Sequence, residues 1–207
     1  MPLFKDLEIV PDTFVLVWEI TESEISLLEN LNSSNKITLK LNQLKNSTRR
    51  RQFLSNLQLL NLKNISFKDL EYNNNGKPEM KDKFISFSHS FDFSAVVISN
   101  KKTGIDIEKF RSKILKISHK FINQIEINLI KNLSIENITK VWTIKEAVFK
   151  AFGYAGIDFK ENILIESINL DFDKAKVKIY KKEIIEYYNI EIFNFSQYIC
   201  SVAHIIK

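Results

Sequence analysis

Gly104-Ile105-Asp106-Ile107-Glu108 and Trp142-Thr143-Ile144-Lys145-Glu146-Ala147-Val148-Phe149-Lys150 are the two stretches that decide how this chain is read. The first alternates like a strand. Successive strand side chains point to opposite faces, so Asp106 and Glu108 share one face while Ile105 and Ile107 turn the other way, into a core. The second has helical spacing, in which residues four apart stack, so Trp142, Glu146 and Lys150 form one line. If strand and helix pack together, the carboxylates of Asp106, Glu108 and Glu146 converge with the ammonium of Lys150. Hard oxygen ligands of this kind suit Mg²⁺, which keeps several waters and takes the rest of its shell from substrate phosphates. Mn²⁺ accepts the same ligands. Taken singly, each stretch has a plainer explanation. Asp106 and Glu108 could be solvated carboxylates on a strand edge, and Glu146 and Lys150 an i,i+4 helix pair contributing only ~0.3 kcal/mol.

Outward from these stretches, strands and helices recur in both halves of the chain, predicting an α+β fold. Residues 14–20 read as a buried strand. Thr21 to Glu24 reads as a capping box opening a short helix to about Asn30. The apolar spacing from Lys40 to Lys63 fits one or two helices. Asn73-Asn74-Asn75-Gly76 is a turn signal. Strands follow at 84–87 and 95–98, and the turn at 99–103 predicts a hairpin between the latter and the acidic strand. Helices are expected at 114–121, 126–132 and 135–152, with Gly153 as the stop for the last. Strands at 163–170, 175–180 and 198–206 complete the chain.

At 207 residues, 44% of them hydrophobic, the chain can build one large or two small cores, which excludes a disordered protein. Cys200 is the sole cysteine, so no internal disulfide can form and a reducing cytoplasm is the expected compartment. Met1-Pro2-Leu3-Phe4-Lys5-Asp6 carries charge where a secretory leader needs an apolar run. No stretch approaches a membrane span, so no membrane partner is expected. The net charge of +5 admits a polyanionic partner, although a modest lysine excess also serves solubility. The phenylalanines fall in apolar periods rather than alternating with Lys and Arg on one stripe, so nucleic acid is not expected either. Scattered His89, His119 and His204 with a single cysteine make no zinc site.

In order along the chain stand Gly76-Lys77-Pro78, Ser88-His89-Ser90, Gly104 to Glu108, and Trp142 to Lys150. This succession resembles the 4′-phosphopantetheinyl transferases of the larger, surfactin-synthetase-activating type; one such motif is common by chance, four in order are specific. The resemblance implies two similar α/β-sandwich halves related by a pseudo-twofold, with the active site at their interface. Residues 1–102 would contact the coenzyme A nucleotide and 103–207 would form the metal and pyrophosphate site. It implies transfer of the phosphopantetheine arm of coenzyme A to a serine of an apo acyl or peptidyl carrier protein, with release of adenosine 3′,5′-bisphosphate, by a cytoplasmic monomer. Asp106, Glu108 and Glu146 would hold Mg²⁺. Glu146 is the first candidate base and Glu126, in a Phe-x-x-x-x-Glu segment, the second; Lys150 would neutralise developing charge. Lys145 would lie near the pyrophosphate. Arg49, Arg50, Arg51, Lys77, Ser88 and His89 would meet the nucleotide and its phosphates. The family often has a further arginine some six residues after the Arg49–Arg51 tract, where this chain has Asn56-Leu57. The competing expectation is a relative that binds coenzyme A or a carrier protein without catalysis.

Overall fold

The computed structural model describes residues 2–29, 31, 34–73 and 76–206. They form a mixed α/β fold in two compact units, Met1–Asn100 and Lys101–Lys207.

The first unit runs β1 (Leu3–Val10), β2 (Thr13–Glu19), α1 (Glu24–Glu29), α2 (Asn35–Gln43), α3 (Ser47–Leu62), β3 (Glu71–Tyr72), β4 (Pro78–Glu79), β5 (Phe84–Ser90) and β6 (Phe93–Ser99). Its antiparallel sheet has the order β1-β2-β6-β5. One face carries Leu16, Trp18, Ile85, Val96 and Ile98, which pack with Leu54, Leu57 and Leu60 of α3. Burial of such side chains stabilises by roughly 1.5–3 kcal/mol each. Helix α3 also buries polar groups, and they are satisfied: Ser55 Oγ lies 2.6 Å from Ser94 Oγ, and Gln58 Nε2 donates to Leu27 O at 2.7 Å.

The second unit runs β7 (Thr103–Lys109), α4 (Lys113–Ile117), α5 (Gln124–Leu129), α6 (Ile135–Phe152), β8 (Ile163–Ile168), β9 (Lys174–Lys181), β10 (Ile184–Phe195) and β11 (Tyr198–Ile205). Its antiparallel sheet has the order β7-β11-β10-β9-β8. Helix α6 packs Ile138, Val141, Ile144, Ala147, Val148 and Ala151 into a core with Ile190, Ile192, Ile199 and Ala203. Ser134 Oγ caps α6 by accepting from Asn137 N at 3.2 Å, and Gly153 ends it in the left-handed region at φ 78°. Gly104 sets how close helix and strand lie. A Cβ there would stand 2.2 Å from Ala147 O and 2.6 Å from Ala151 N, so only glycine lets the β7 backbone touch α6. Strand alternation then places Asp106 and Glu108 on the helix side with Gly104, and buried Ile105 and Ile107 on the opposite face.

Several expectations change. The predicted hairpin between residues 95–98 and the acidic strand does not form. Both edges of β6 are taken, by β2 and β5, and β7 pairs with β11, Asp106 opposite Ser201. Strands β1 and β10 were not expected from the sequence. Helix α1 is capped by Ser23, whose Oγ accepts from Ser26 N at 3.2 Å, rather than by a box at Thr21. Asn30, named as its end, lies outside the described residues, as do Asn74 and Asn75 of the expected turn. That turn is closed by Asn73 N donating to Lys77 O at 3.1 Å, with Gly76 at φ 75°. Among the described residues no helix is long and apolar enough to cross a membrane.

Candidate active site

The acidic strand and the long helix meet as their patterns require. Asp106 is only 5% exposed, so it is not a solvated edge carboxylate. Lys150 Nζ donates to Asp106 Oδ1 at 2.7 Å and to Ile105 O at 3.1 Å. The ammonium also stands in the last turn of α6, where the helix dipole favours a cation. Glu146, one turn earlier, is half-buried. Its carboxyl is pushed up to about 7, first by burial and then by repulsion from Asp106; Lys150 opposes the shift and Glu108 adds to it. Glu108 is also half-buried, with Oε2 3.8 Å from an Arg111 guanidinium nitrogen. The repulsion among these carboxylates that lifts Glu146 is relieved by a proton or by a cation.

The donor set is all oxygen and anionic, the chemistry that hard dications prefer, so Asp106, Glu108 and Glu146 fit Mg²⁺ or Mn²⁺. As they stand, no three acidic, histidine or cysteine side chains among the described residues are drawn to ion-holding spacing. The Lys150 ammonium instead lies against Asp106.

Glu126 and Lys145, expected at this cluster, are not in it. Lys145 is wholly buried, and its Nζ donates to Glu126 Oε2 and to Phe159 O, each at 2.8 Å. Glu126, 1% exposed, accepts from Asn123 N at Oε2 and from Ile165 N at Oε1, each at 3.0 Å. Burial pulls the Lys145 ammonium below the usual lysine range, against the opposing pull of the Glu126 carboxylate. One residue along a helix turns a side chain by about 100°; this carries Lys145 away from the line of Glu146 and Lys150. With its oxygens engaged and no path to solvent, Glu126 is not placed to take a proton from a substrate, nor Lys145 to meet a phosphate. Beside the pair, Trp142 packs edge-on to Phe121 at 5.0 Å between ring centres and against Phe159 at 5.6 Å.

In the first unit, the arginine tract opens α3 behind the Asn46 cap. Positive charge at a helix N-terminus opposes the dipole, so something else must favour it. Arg50 is explained structurally: its Nε lies 2.8 Å from both Glu24 carboxylate oxygens and a guanidinium NH₂ donates to Leu44 O at 3.0 Å. Arg49 is exposed and Arg51 half-buried. Lys77 is half-buried, Ser88 is 7% exposed within β5, and His89 is exposed beside it. Leu57, where the family often differs, is a core residue at 4% exposure.

Two features of the cluster carried little or no signal in the sequence. The Ile105 carbonyl that holds Lys150 is a backbone group. The close approach at Gly104 had one cue, a glycine two residues before the first carboxylate.

Residues 102–203 match the model of the 4′-phosphopantetheinyl transferase superfamily. The chain is also 33% identical over 161 residues to the 4'-phosphopantetheinyl transferase gsp of Aneurinibacillus migulanus, an alignment covering 73% of this chain. The chain is similar to that superfamily, by the family model across residues 102–203 and by the relative across 161 residues. It spans 64% of the length of that relative. The matched span contains the whole acidic cluster, from Asp106 to Lys150, and the Glu126–Lys145 pair.

Proposed function

We propose that the chain is a 4′-phosphopantetheinyl transferase that moves the phosphopantetheine arm of coenzyme A onto a serine hydroxyl of an apo acyl or peptidyl carrier protein, releasing adenosine 3′,5′-bisphosphate. The observation that carries this reading is the cluster of Asp106, Glu108, Glu146 and Lys150 within the span shared with the superfamily. Asp106, Glu108 and Glu146 would hold Mg²⁺, with Mn²⁺ an alternative; when bound, the ion screens the pyrophosphate from these carboxylates and stabilises charge on the leaving phosphate.

The chain's own residues supply the remaining chemistry. Glu146, half-buried beside Asp106 and Glu108, is the carboxylate assigned to take the serine proton. Lys150 carries a mobile positive charge that can move from Asp106 to a phosphate oxygen. Arg49, Arg51, Lys77, Ser88 and His89 are assigned to the nucleotide and its phosphates on the resemblance. So is the division of labour, with 1–102 and 103–207 as two similar halves, one meeting the nucleotide and the other the metal and pyrophosphate. A cytoplasmic monomer completes the proposal; the single, buried Cys200 accords with a reducing compartment.

The test is the intact mass of a panel of apo carrier proteins after incubation with the chain, coenzyme A and Mg²⁺. A gain of one phosphopantetheine, abolished by chelation, is expected. No gain on any carrier, with coenzyme A still bound, would leave a binding module in place of an enzyme.

A further inference from the structure

The polar groups on α6 fall into sets that do different work, and Lys145 is a wholly buried charge that the proposed chemistry leaves unused. Its ammonium joins parts of the second unit that the sequence does not bring together. It reaches Glu126 at the start of α5 and the carbonyl of Phe159 in the loop before β8. Glu126 in turn holds the amide of Ile165 in β8, and Asn123 closes the group by accepting from Glu126 N at 2.9 Å. The rest of the α6 contact with its sheet is largely aliphatic: Ile144, Ala147, Val148 and Ala151 on Ile199 and Ala203. Apolar burial is non-directional and resists rotation or sliding of a helix weakly. Buried hydrogen bonds are directional and costly to leave unmade. Thr143 Oγ1, 2.7 Å from Ser201 Oγ, ties the helix to β11, and Lys145 ties it on another side.

Resting on the proposed function, we infer that the Lys145–Glu126 pair is a positioning device for the metal cluster. It fixes the rotation of α6 so that Glu146, the next residue, faces Asp106 and Glu108. Lys145 and Glu126 touch neither substrate nor ion; they act through Glu146. Groups that orient metal ligands in this way typically carry 10–100-fold in metal affinity. The same ties hold the Phe159 loop beside Trp142, whose ring packs on Phe159.

The test uses Mn²⁺ alone as probe, titrated into the full chain and read as loss of the free-ion EPR signal, with melting followed in parallel. The double variant Lys145→Met with Glu126→Gln removes both charges at similar volume, so no bare buried charge remains. The expected result is a folded, cooperatively melting variant whose Mn²⁺ dissociation constant rises at least about tenfold, with a shift of Trp142 emission. In turnover, kcat falls while the KM for coenzyme A stays near native. A folded variant with Mn²⁺ affinity within twofold of native overturns the inference. If the native chain itself takes up no Mn²⁺, the metal site of the proposed function is wrong and this inference falls with it. Should the double variant fail to fold, Glu126→Gln alone, which keeps side-chain length and an acceptor oxygen, is measured the same way and the same results decide.

Discussion

One helix carries two lysine–glutamate clusters, and they are built to opposite rules. Around Lys145 the charges match one to one, the pair is sealed from solvent, and the Glu126 oxygens accept from Lys145 and from backbone amides. Around Lys150 the carboxylates of Asp106, Glu108 and Glu146 crowd together, and Glu146 is lifted to about 7 by burial and like charge. The first arrangement is at rest: nothing in it has an incentive to bind anything else. The second carries an electrostatic debt that a cation or a proton relieves. Both clusters come from motif-matched residues, so motif membership alone does not separate a group that does chemistry from one that holds such a group in place. Charge balance and exposure do.

The largest expected effect on stability falls on the closed cluster. Lys145→Met leaves the Glu126 carboxylate buried without its partner, which should cost about 3–5 kcal/mol, read as a lowered urea midpoint; a loss below about 1 kcal/mol would put the pair on the same footing as an exposed ion pair.

Gly104→Ala comes next, because it disturbs the open cluster through the backbone. The added methyl meets Ala147 O and must push α6 off β7, costing about 1–3 kcal/mol as overpacking does. The Lys150 Nζ to Ile105 O contact should then break, visible as faster hydrogen exchange across Thr103–Lys109. Unchanged exchange there would show that the strand and helix are not held by this contact.

The smallest effect is a pH dependence that belongs to the open cluster alone. The Glu146 carboxyl is raised from its ordinary 4.5 to about 7 on folding, so between those values the folded chain binds the extra proton. That contribution is fully present below 4.5 and is lost as pH rises through about 7. Without metal, the native chain should therefore lose stability relative to Glu146→Gln between pH 5 and pH 8, by about 1–2 kcal/mol after solvent screening. Parallel melting curves across that range would show that neither burial nor Asp106 lifts the Glu146 carboxyl.

What the sequence revealed follows from how local each signal is. Helix α6 was legible from Ile135 to Phe152 because its apolar spacing and its glycine stop are contiguous. The acidic strand was legible for the same reason. Its partner was not: β7 pairs with β11 near the other end of the unit, and a turn signal at residues 99–103 says nothing about distant pairing. Strand β1 is an edge strand in which apolar Phe4 is exposed with Asp6 and Glu8 while charged Lys5 falls on the half-buried side, so no clean apolar alternation marks it. In β10, Ile184, Ile185 and Tyr187 are all exposed, which blurs the alternation that marks a half-buried strand. The closed cluster was least legible, since lysine and glutamate face water by default and nothing around Lys145 or Glu126 announces a partner.

The most direct measurement is the rate at which Glu146→Gln modifies an apo carrier protein, by intact mass with saturating coenzyme A and Mg²⁺, beside the native chain. If the open cluster does the chemistry, the variant melts no lower than the native chain at pH 8 and transfers at least about 100-fold more slowly, the scale of a lost general base. A folded Glu146→Gln that modifies the carrier at the native rate would contradict the account, because the carboxylate at the centre of the cluster would then be dispensable.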